Sequence, residues 1–393
     1  MDIASWIAKA RALGASDLLL EAETQIVVRV RGELTVIGEG VSNDELETAA
    51  RALIGEHGWR QFGERHSSDH SMVIADGRCR VNVYRTLRGI ALAVRLLSSA
   101  VGGLRGSNLH PNLGRLLQSK TGLLIISGPT GSGKSTTLAS FIEEINQARP
   151  CNIVTLESPI EYLHTNRRSF IRQREIPTHS PSYEQAIVDA LRESPDVLVI
   201  GEMRTPDVMR LTLNAAETGH LVLTTMHSAT CAEALTRLCM SFPSDIQGSV
   251  RAQVADCLVG VVCQRLDYIR THKLLVPRCE ILTANSASRG TIRAGHFSQI
   301  PTVIQSGGDD GMWTFDRYER WIVQKDDWVV PAASRATPSK AQAPVKSTRA
   351  ASPPKAPARP SAEVFDLEID EDLDLHDIAR RLDEDESNHD KSR

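Results

Sequence analysis

What the sequence lacks narrows it first. Its seven cysteines, Cys79, Cys151, Cys231, Cys239, Cys257, Cys263 and Cys279, form no Cys-x-x-Cys pair. That argues against a zinc ribbon and against a redox dithiol. Several lie in apolar runs such as Asp256-Cys-Leu-Val-Gly-Val-Val-Cys263 and read as buried free thiols. No stretch reaches the roughly 18 apolar residues of a membrane-crossing helix. The start, Met1-Asp-Ile-Ala-Ser-Trp, lacks the basic-then-apolar pattern of a secretion signal, so a cytoplasmic protein is expected. The net charge is only −4, which gives no broad electrostatic footprint for nucleic acid, and no nucleic-acid partner is expected.

What is present centres on Gly128-Pro-Thr-Gly-Ser-Gly-Lys-Ser-Thr-Thr137. It fits G-x-x-x-x-G-K-S/T, the phosphate-binding loop of P-loop NTPases. Its glycines let the chain curl so that successive N–H groups face phosphate oxygens. Gly128, Pro129, Thr130, Gly131, Ser132, Gly133, Lys134, Ser135 and Thr136 are the candidate nucleotide-binding residues. Lys134 would reach the β- and γ-phosphates and the Ser135 hydroxyl would sit on Mg²⁺. The flanks agree: Leu123-Leu-Ile-Ile126 reads as a buried strand, and Ser135 to Ile145 has helical spacing. A strand–loop–helix unit puts a helix N-terminus under the anion.

At 393 residues the chain has room for two or three domains. Residues 1–97 read as a small α+β domain. It has a helix over Ile3 to Leu13, a turn at Gly14 to Asp17, and two strands within Ile26 to Ile37 joined at Arg31-Gly32-Glu33. A helix follows over Leu46 to Leu53, then strands at Met72, at Cys79 to Tyr84 and at Ile90 to Leu97, with Asp76-Gly77 as a turn. Residues 98–112 are rich in Gly and Ser and read as a flexible linker. From 113 to 330 short apolar runs at Ile153, Val197 and Leu221 alternate with helical stretches such as Tyr183 to Arg192 and Val208 to Ala216. That predicts an α/β fold, with a mostly parallel sheet covered on both faces and ligands at the carboxyl ends of its strands. Residues 331–393 break from this pattern: Pro331 to Pro360 carries no acidic residue, and an acidic end follows. The segment reads as a disordered tail. Leu375, Ile378 and Leu382 share a helical face, so the acidic end is either solvated or a helix that docks on a partner.

Hydrolysis needs more than a phosphate cradle: Mg²⁺ held on the sheet, and a carboxylate to handle water. Thr155-Leu-Glu-Ser-Pro-Ile-Glu161 supplies one set. Asp196-Val-Leu-Val-Ile-Gly-Glu202-Met-Arg204 supplies another, with an apolar strand delivering Glu202 in the layout of a Walker B segment. The plain alternative for Glu202 is a loop carboxylate paired with Arg204. Thr218-Gly-His-Leu-Val-Leu-Thr-Thr-Met-His227 brackets a further strand with two histidines, either of which reads a phosphate or is structural.

Taken together these stretches resemble the secretion-ATPase superfamily of type II secretion and type IV pili, and most of all the PilT family of pilus-retraction motors. The likeness spans residues 1 to about 330. GPTGSGKSTT is similar to the family's Walker A and TLESPIE to its Asp box. LRESPDVLVIGEMR is similar to its Walker B region, AETGHLVLTTMHS to its His box, and IRAGHFSQIPTVIQSG to its C-terminal signature. The resemblance implies an N-terminal PAS-like domain linked to a RecA-like P-loop ATPase domain. It implies a homohexamer that binds ATP and Mg²⁺ at the cytoplasmic face of the inner membrane, hydrolyses ATP and turns a membrane platform protein. A related ATPase subunit is a further implied partner. In the same terms Glu161 is the general base, Glu202 is linked to Mg²⁺, and His227 is the second His of the His box. Family members also lend arginines from the N-terminal domain to the nucleotide; Arg80-Val-Asn, Arg88-Gly and Arg95 match that pattern, which makes Arg88 and Arg95 the candidates, the plain alternative being solvated strand charges.

This sequence departs from the family in two places. Ser158 stands where the Asp box carries Asp, although Glu157 and Glu161 remain, so activity is expected. The tail is not part of a plain retraction motor and implies an added partner. The pilus-assembly and type II secretion relatives carry an extra N-terminal domain and a paired-cysteine zinc element, both missing here, which favours the compact retraction type. The alternatives are an ATPase for a conjugative or type IVB secretion system, and a weakly hydrolysing accessory subunit.

Overall fold

A computed structural model describes residues 2–330 apart from 31, 76, 98–101 and 273. The tail and the docking helix expected near its end therefore lie outside the described residues, as do Arg31 and Asp76 of the two expected turns.

The first body runs α1 (Ile3–Ala12), β1 (Ala15–Glu21), β2 (Ile26–Val30), β3 (Glu33–Gly38), α2 (Asn43–Arg65), β4 (Ser67–Ile74), β5 (Gly77–Thr86) and β6 (Gly89–Leu96). Its strands make one antiparallel sheet in the order β3-β2-β1-β6-β5-β4. Burial with period two gives the sheet one apolar face. Cys79, Val81 and Val83 of β5 point into a cluster with Leu18 of β1, Ile7 of α1, and Leu46 and Phe62 of α2. Ser42 caps α2, and Gly55, at φ 68°, interrupts its helical geometry.

One expectation fails here. Gly14 does turn, at φ 68°, but the strand starts at the next residue. β1 is a central strand, not the tail of a turn. Its polar Asp17 is tolerated because it stands opposite Arg29 and Arg95 on the neighbouring strands, at 3.8 and 3.2 Å. Such cross-strand charge pairs stabilise a solvent-facing position.

The second body begins with two one-turn helices, α3 (Gly103–Gly106) and α4 (Leu113–Leu116). It continues β7 (Gly122–Ser127), α5 (Lys134–Ala148), β8 (Asn152–Glu157), β9 (Phe170–Glu175), α6 (Tyr183–Ala190), β10 (Val197–Ile200), α7 (Pro206–Glu217), β11 (Leu221–Met226) and α8 (Cys231–Met240). Then come α9 (Gln247–Cys257), β12 (Leu258–Ile269), β13 (Leu274–Thr283), α10 (Ser286–Ala294), α11 (Ile300–Ser306) and α12 (Phe315–Gln324). The sheet order is β13-β12-β7-β11-β10-β8-β9, parallel throughout except for the β12–β13 pair.

Helices cover both faces, so β7, β10 and β11 are buried at every position. This is the continuous apolar run of a parallel strand. Alternate residues of β7 serve opposite faces. Leu123 and Ile125 meet α6 to α9, while Leu124 and Ile126 meet Phe141 of α5 and Tyr318 of α12.

Of the segment expected to be a flexible linker, the described residues 102–112 are largely packed. Leu104, Leu109 and Leu113 are buried in the same cluster as Leu124 and Phe141. The Asn108 side chain donates to Val329 O at 2.8 Å and accepts from Val329 N at 2.9 Å. Gly and Ser in this stretch serve a tight path across the sheet, with the leucines as anchors.

Candidate active site

Four strands end at one side of the second sheet, and each hands over to a loop that carries chemistry. β7 delivers the P-loop. Gly128, Gly131 and Gly133 all have positive φ (151°, 79° and 84°), which only glycine adopts without strain. A Cβ on Gly128 would stand 2.4 Å from Gln264 O. Lys134 opens α5 and folds back, its Nζ donating to Gly128 O at 2.9 Å and Pro129 O at 3.0 Å. It thus spans the mouth of the cradle.

β10 delivers Glu202, whose carboxylate is divided between two partners. Oε1 lies 3.2 Å from His227 Nε2, and Oε2 accepts from Arg204 at 2.7 to 2.8 Å. The Arg204 pairing weighed as the alternative for Glu202 is therefore present, alongside a second contact that it did not foresee. β11 delivers His227, whose Nδ1 is 3.5 Å from Lys134 Nζ. Lys134, His227 and Glu202 form one contact chain. Burial, and then the nearby Lys134 charge, hold the His227 pKa below the usual histidine value. A neutral ring fits both neighbours, accepting from Lys134 and donating to Glu202. Burial lowers the Lys134 pKa, against the opposing pull of Glu202 and Glu161.

β8 delivers the remaining loop. Glu157 is half-buried, and desolvation pushes its carboxyl pKa up although Thr155 Oγ1 and Gln173 Nε2 bond it at 2.7 and 3.1 Å. Ser158 donates to Ile176 O at 2.8 Å, a contact that an ionised Asp could not make. Glu161 lies close enough for its charge to act on both Lys134 and Arg80.

Other residues expected from the sequence fall further away. His220 stands at the start of β11, with its Nδ1 on Ala215 O at 3.0 Å, so the strand separates it from His227. Arg88 lies in the β5–β6 turn, at the opposite end of β5 from Arg80. Arg95 stands opposite Arg80 in the sheet and pairs with Asp17. Arg80 of the same sheet lies within the reach of the Glu161 charge and forks onto Asp69.

Two supporting residues escaped the sequence reading. Gln264 on β12 is buried and holds the P-loop from below. Its Nε2 donates to Ser132 O and its Oε1 accepts from Thr137 Oγ1, both at 2.6 Å. A lone amide inside an apolar strand was the available signal, since such groups are buried only when bonded. The Tyr162 hydroxyl bonds Thr136 Oγ1 at 2.7 Å and ties the Glu161 loop to the P-loop.

Residues 71–297 match the family described as type II/IV secretion system protein. A twitching motility protein of Neisseria gonorrhoeae is 36% identical over 313 residues, 79% of this chain and 83% of that protein. The crystal structure of the pilus retraction motor PilT with bound ADP superposes at a TM-score of 0.77 and 32% identity, covering 86% of this chain and 98% of that one. The chain belongs to the PilT-type branch of the type II/IV secretion protein family. The ATPase DotB of Legionella pneumophila superposes less well, at 0.66 and 25% identity over 81% of this chain and 94% of its own. The family match opens within β4 and closes beyond α10. It therefore takes in Arg80 and Arg95 of the PilT-type chain's first sheet along with every loop at the P-loop end of the second.

Proposed function

We propose that the chain is the ATP-hydrolysing subunit of a hexameric motor that retracts a type IV pilus. The carrying observation is the Lys134–His227–Glu202 contact chain at the carboxyl ends of β7, β10 and β11. Glu161 acts on the same lysine. In this reading the N–H groups of residues 131 to 136 take the phosphates of ATP, and Lys134 exchanges its two loop carbonyls for phosphate oxygens. Glu161 orients the attacking water and takes its proton. The water oxygen bonds the γ-phosphorus as the bond to the β,γ-bridging oxygen breaks, releasing ADP and phosphate. Ser135 and Glu202 would hold Mg²⁺, and both offer oxygen, the ligand type this ion takes. When bound, the ion offsets charge on the phosphates. His227, between Lys134 and Glu202, keeps Glu202 oriented.

The domain division belongs to the same proposal: an N-terminal domain to residue 97 and an ATPase domain from 113 to 330. Leu104 and Leu109, buried in the second body, belong with the ATPase domain. The motor works in the cytoplasm against an inner-membrane platform protein. Among the described residues no helix is long and apolar enough to cross a membrane. Retraction is favoured over secretion because the likeness to PilT exceeds that to DotB in both identity and superposition.

Steady-state ATP hydrolysis of the full chain beside Glu161→Gln and Lys134→Ala tests the reading. Loss of a general base lowers turnover by about 10²–10⁴-fold, so Glu161→Gln should bind a fluorescent ATP analogue but turn over that much more slowly. Lys134→Ala should lose binding. A wild type that binds Mg-ATP without turnover, at concentrations where rings form, would replace the motor by the accessory-subunit reading.

A further inference from the structure

One residue of the first sheet grips the loop that carries Glu161. Arg78, near the start of β5, donates from Nε to Ile160 O at 2.9 Å. Its Nη2 pairs with the carboxylate of Glu175 at the end of β9. Glu175 Oε2 in turn accepts the N–H of Ile160 at 2.9 Å. Both backbone polar groups of Ile160, the residue before Glu161, are thus held by the two halves of one ion pair. The pair is largely shielded from solvent, its side chains 12% and 8% exposed. The arginine is itself anchored: Arg11 of α1 donates to Arg78 O at 2.7 Å and to Leu97 O at 3.2 Å, the latter just past the end of β6.

The two holds come from different bodies. Glu175 travels with the loop, whereas Arg78 travels with the N-terminal sheet. If that sheet moves away, Ile160 keeps its N–H bond and loses the carbonyl bond, and Glu175 is left as a buried charge without its partner. A forked guanidinium suits this double duty, since an ammonium offers no fixed fork. Reaction rates fall by about 10²-fold for a misplacement of about 1 Å, so the hold on Ile160 bears directly on Glu161.

We propose that Arg78 is a positioning residue that makes hydrolysis conditional on the N-terminal sheet being docked against the Glu161 loop. The proposal rests on the function proposed above. Arg78 differs from an arginine committed to nucleotide, because two of its three guanidinium nitrogens, Nε and Nη2, are engaged by Ile160 and Glu175. Movement of the first sheet is thereby read at the catalytic carboxylate through one side chain.

The test measures kcat, KM for ATP and binding of a fluorescent ATP analogue in the full chain. Arg78→Gln should lower kcat by about 10–10²-fold with KM and binding within about threefold of wild type. Arg78→Lys should fall between. Because Arg78→Gln leaves Glu175 unpaired and could unfold the chain, the double variant Arg78→Met with Glu175→Gln provides the safeguard. It removes both buried charges and keeps an acceptor for Ile160 N–H, and it should melt like wild type yet remain slow. Wild-type kcat in Arg78→Gln, or in the folded double variant, overturns the proposal. So does a loss confined to KM, which would assign Arg78 to the nucleotide. Glu161→Gln run in parallel separates the two ideas: if it turns over normally, the general-base reading fails, and if it is slow while Arg78→Gln is not, only the positioning role fails.

Discussion

The two ends of the seven-stranded sheet come from the same strands and differ in how their polar groups are used. At the amino ends lies a cavity of about 490 Å³ lined by Ser119, Gly122, Asp256, Cys257 and Arg289 among others. Its Arg289 is committed to the fold. Arg289 donates to Asp256 O and Leu258 O at 2.6 and 3.0 Å, and nearby Asp196 accepts from Asn152 N at 2.8 Å. At the carboxyl ends Lys134, Glu202 and His227 meet, with Glu161 acting on the same lysine; the partners of the three are loop carbonyls, one another and the exposed Arg204. Those are contacts that a phosphate or a metal can replace. Exchangeable charge therefore gathers at the carboxyl ends, where the parallel topology puts ligand sites.

The largest expected effect that sharpens this contrast is Glu202→Gln. Turnover should fall by about 10²-fold, the scale of losing one charge-stabilising contact. Stability should change by less than about 1 kcal/mol, because the pairing with the 74% exposed Arg204 side chain is a surface ion pair. Thermal melting and kcat on one preparation check both halves. A large stability loss would mean that the carboxylate end is as structural as the other, and the comparison would fail.

Gln264→Leu comes next and combines both kinds of effect. It leaves Ser132 O and Thr137 Oγ1 buried without partners, at about 1–3 kcal/mol each. The P-loop should loosen, raising KM for ATP several-fold while kcat at saturation stays close to wild type. Urea titration and a KM–kcat split report the two parts. An unchanged KM would show that the loop's own glycines suffice to shape the cradle.

How far the sequence foretold this arrangement depended on the range of each interaction. The placement of the P-loop, Glu202 and His227 at strand ends was legible because each comes just after a short, mostly apolar strand. β9, β12 and β13 were not among the expected strands. β9 reads Phe-Ile-Arg-Gln-Arg-Glu, the polar pattern of a sheet edge. β13 carries Pro277, which an edge strand accommodates but a sequence pattern reads as a break. The linker misled because glycine content suggested freedom, while Leu104 and Leu109 were anchors whose partners lie on α5 and β7. Arg78 and Gln264 were invisible for a related reason: they meet Ile160 and Ser132 across 82 and 132 residues, beyond any local pattern.

The smallest expected effect belongs to His220, and it tests the comparison most directly because the same strand ends in His227. β11 places one histidine at each end of the sheet. His220 makes a single bond of ordinary length to Ala215 O, with Thr218 Oγ1 a longer 3.3 Å away. Removing such a bond at a half-buried position destabilises by about 0.5–1.5 kcal/mol. His220→Gln should therefore lower the melting temperature slightly and leave kcat and KM where they were. His227→Gln should do the reverse, since its ring touches Lys134 and Glu202 rather than holding a turn. A tenfold fall in kcat for folded His220→Gln would show that the amino ends of the strands also enter turnover. The separation between the two ends of the sheet would then have to be abandoned.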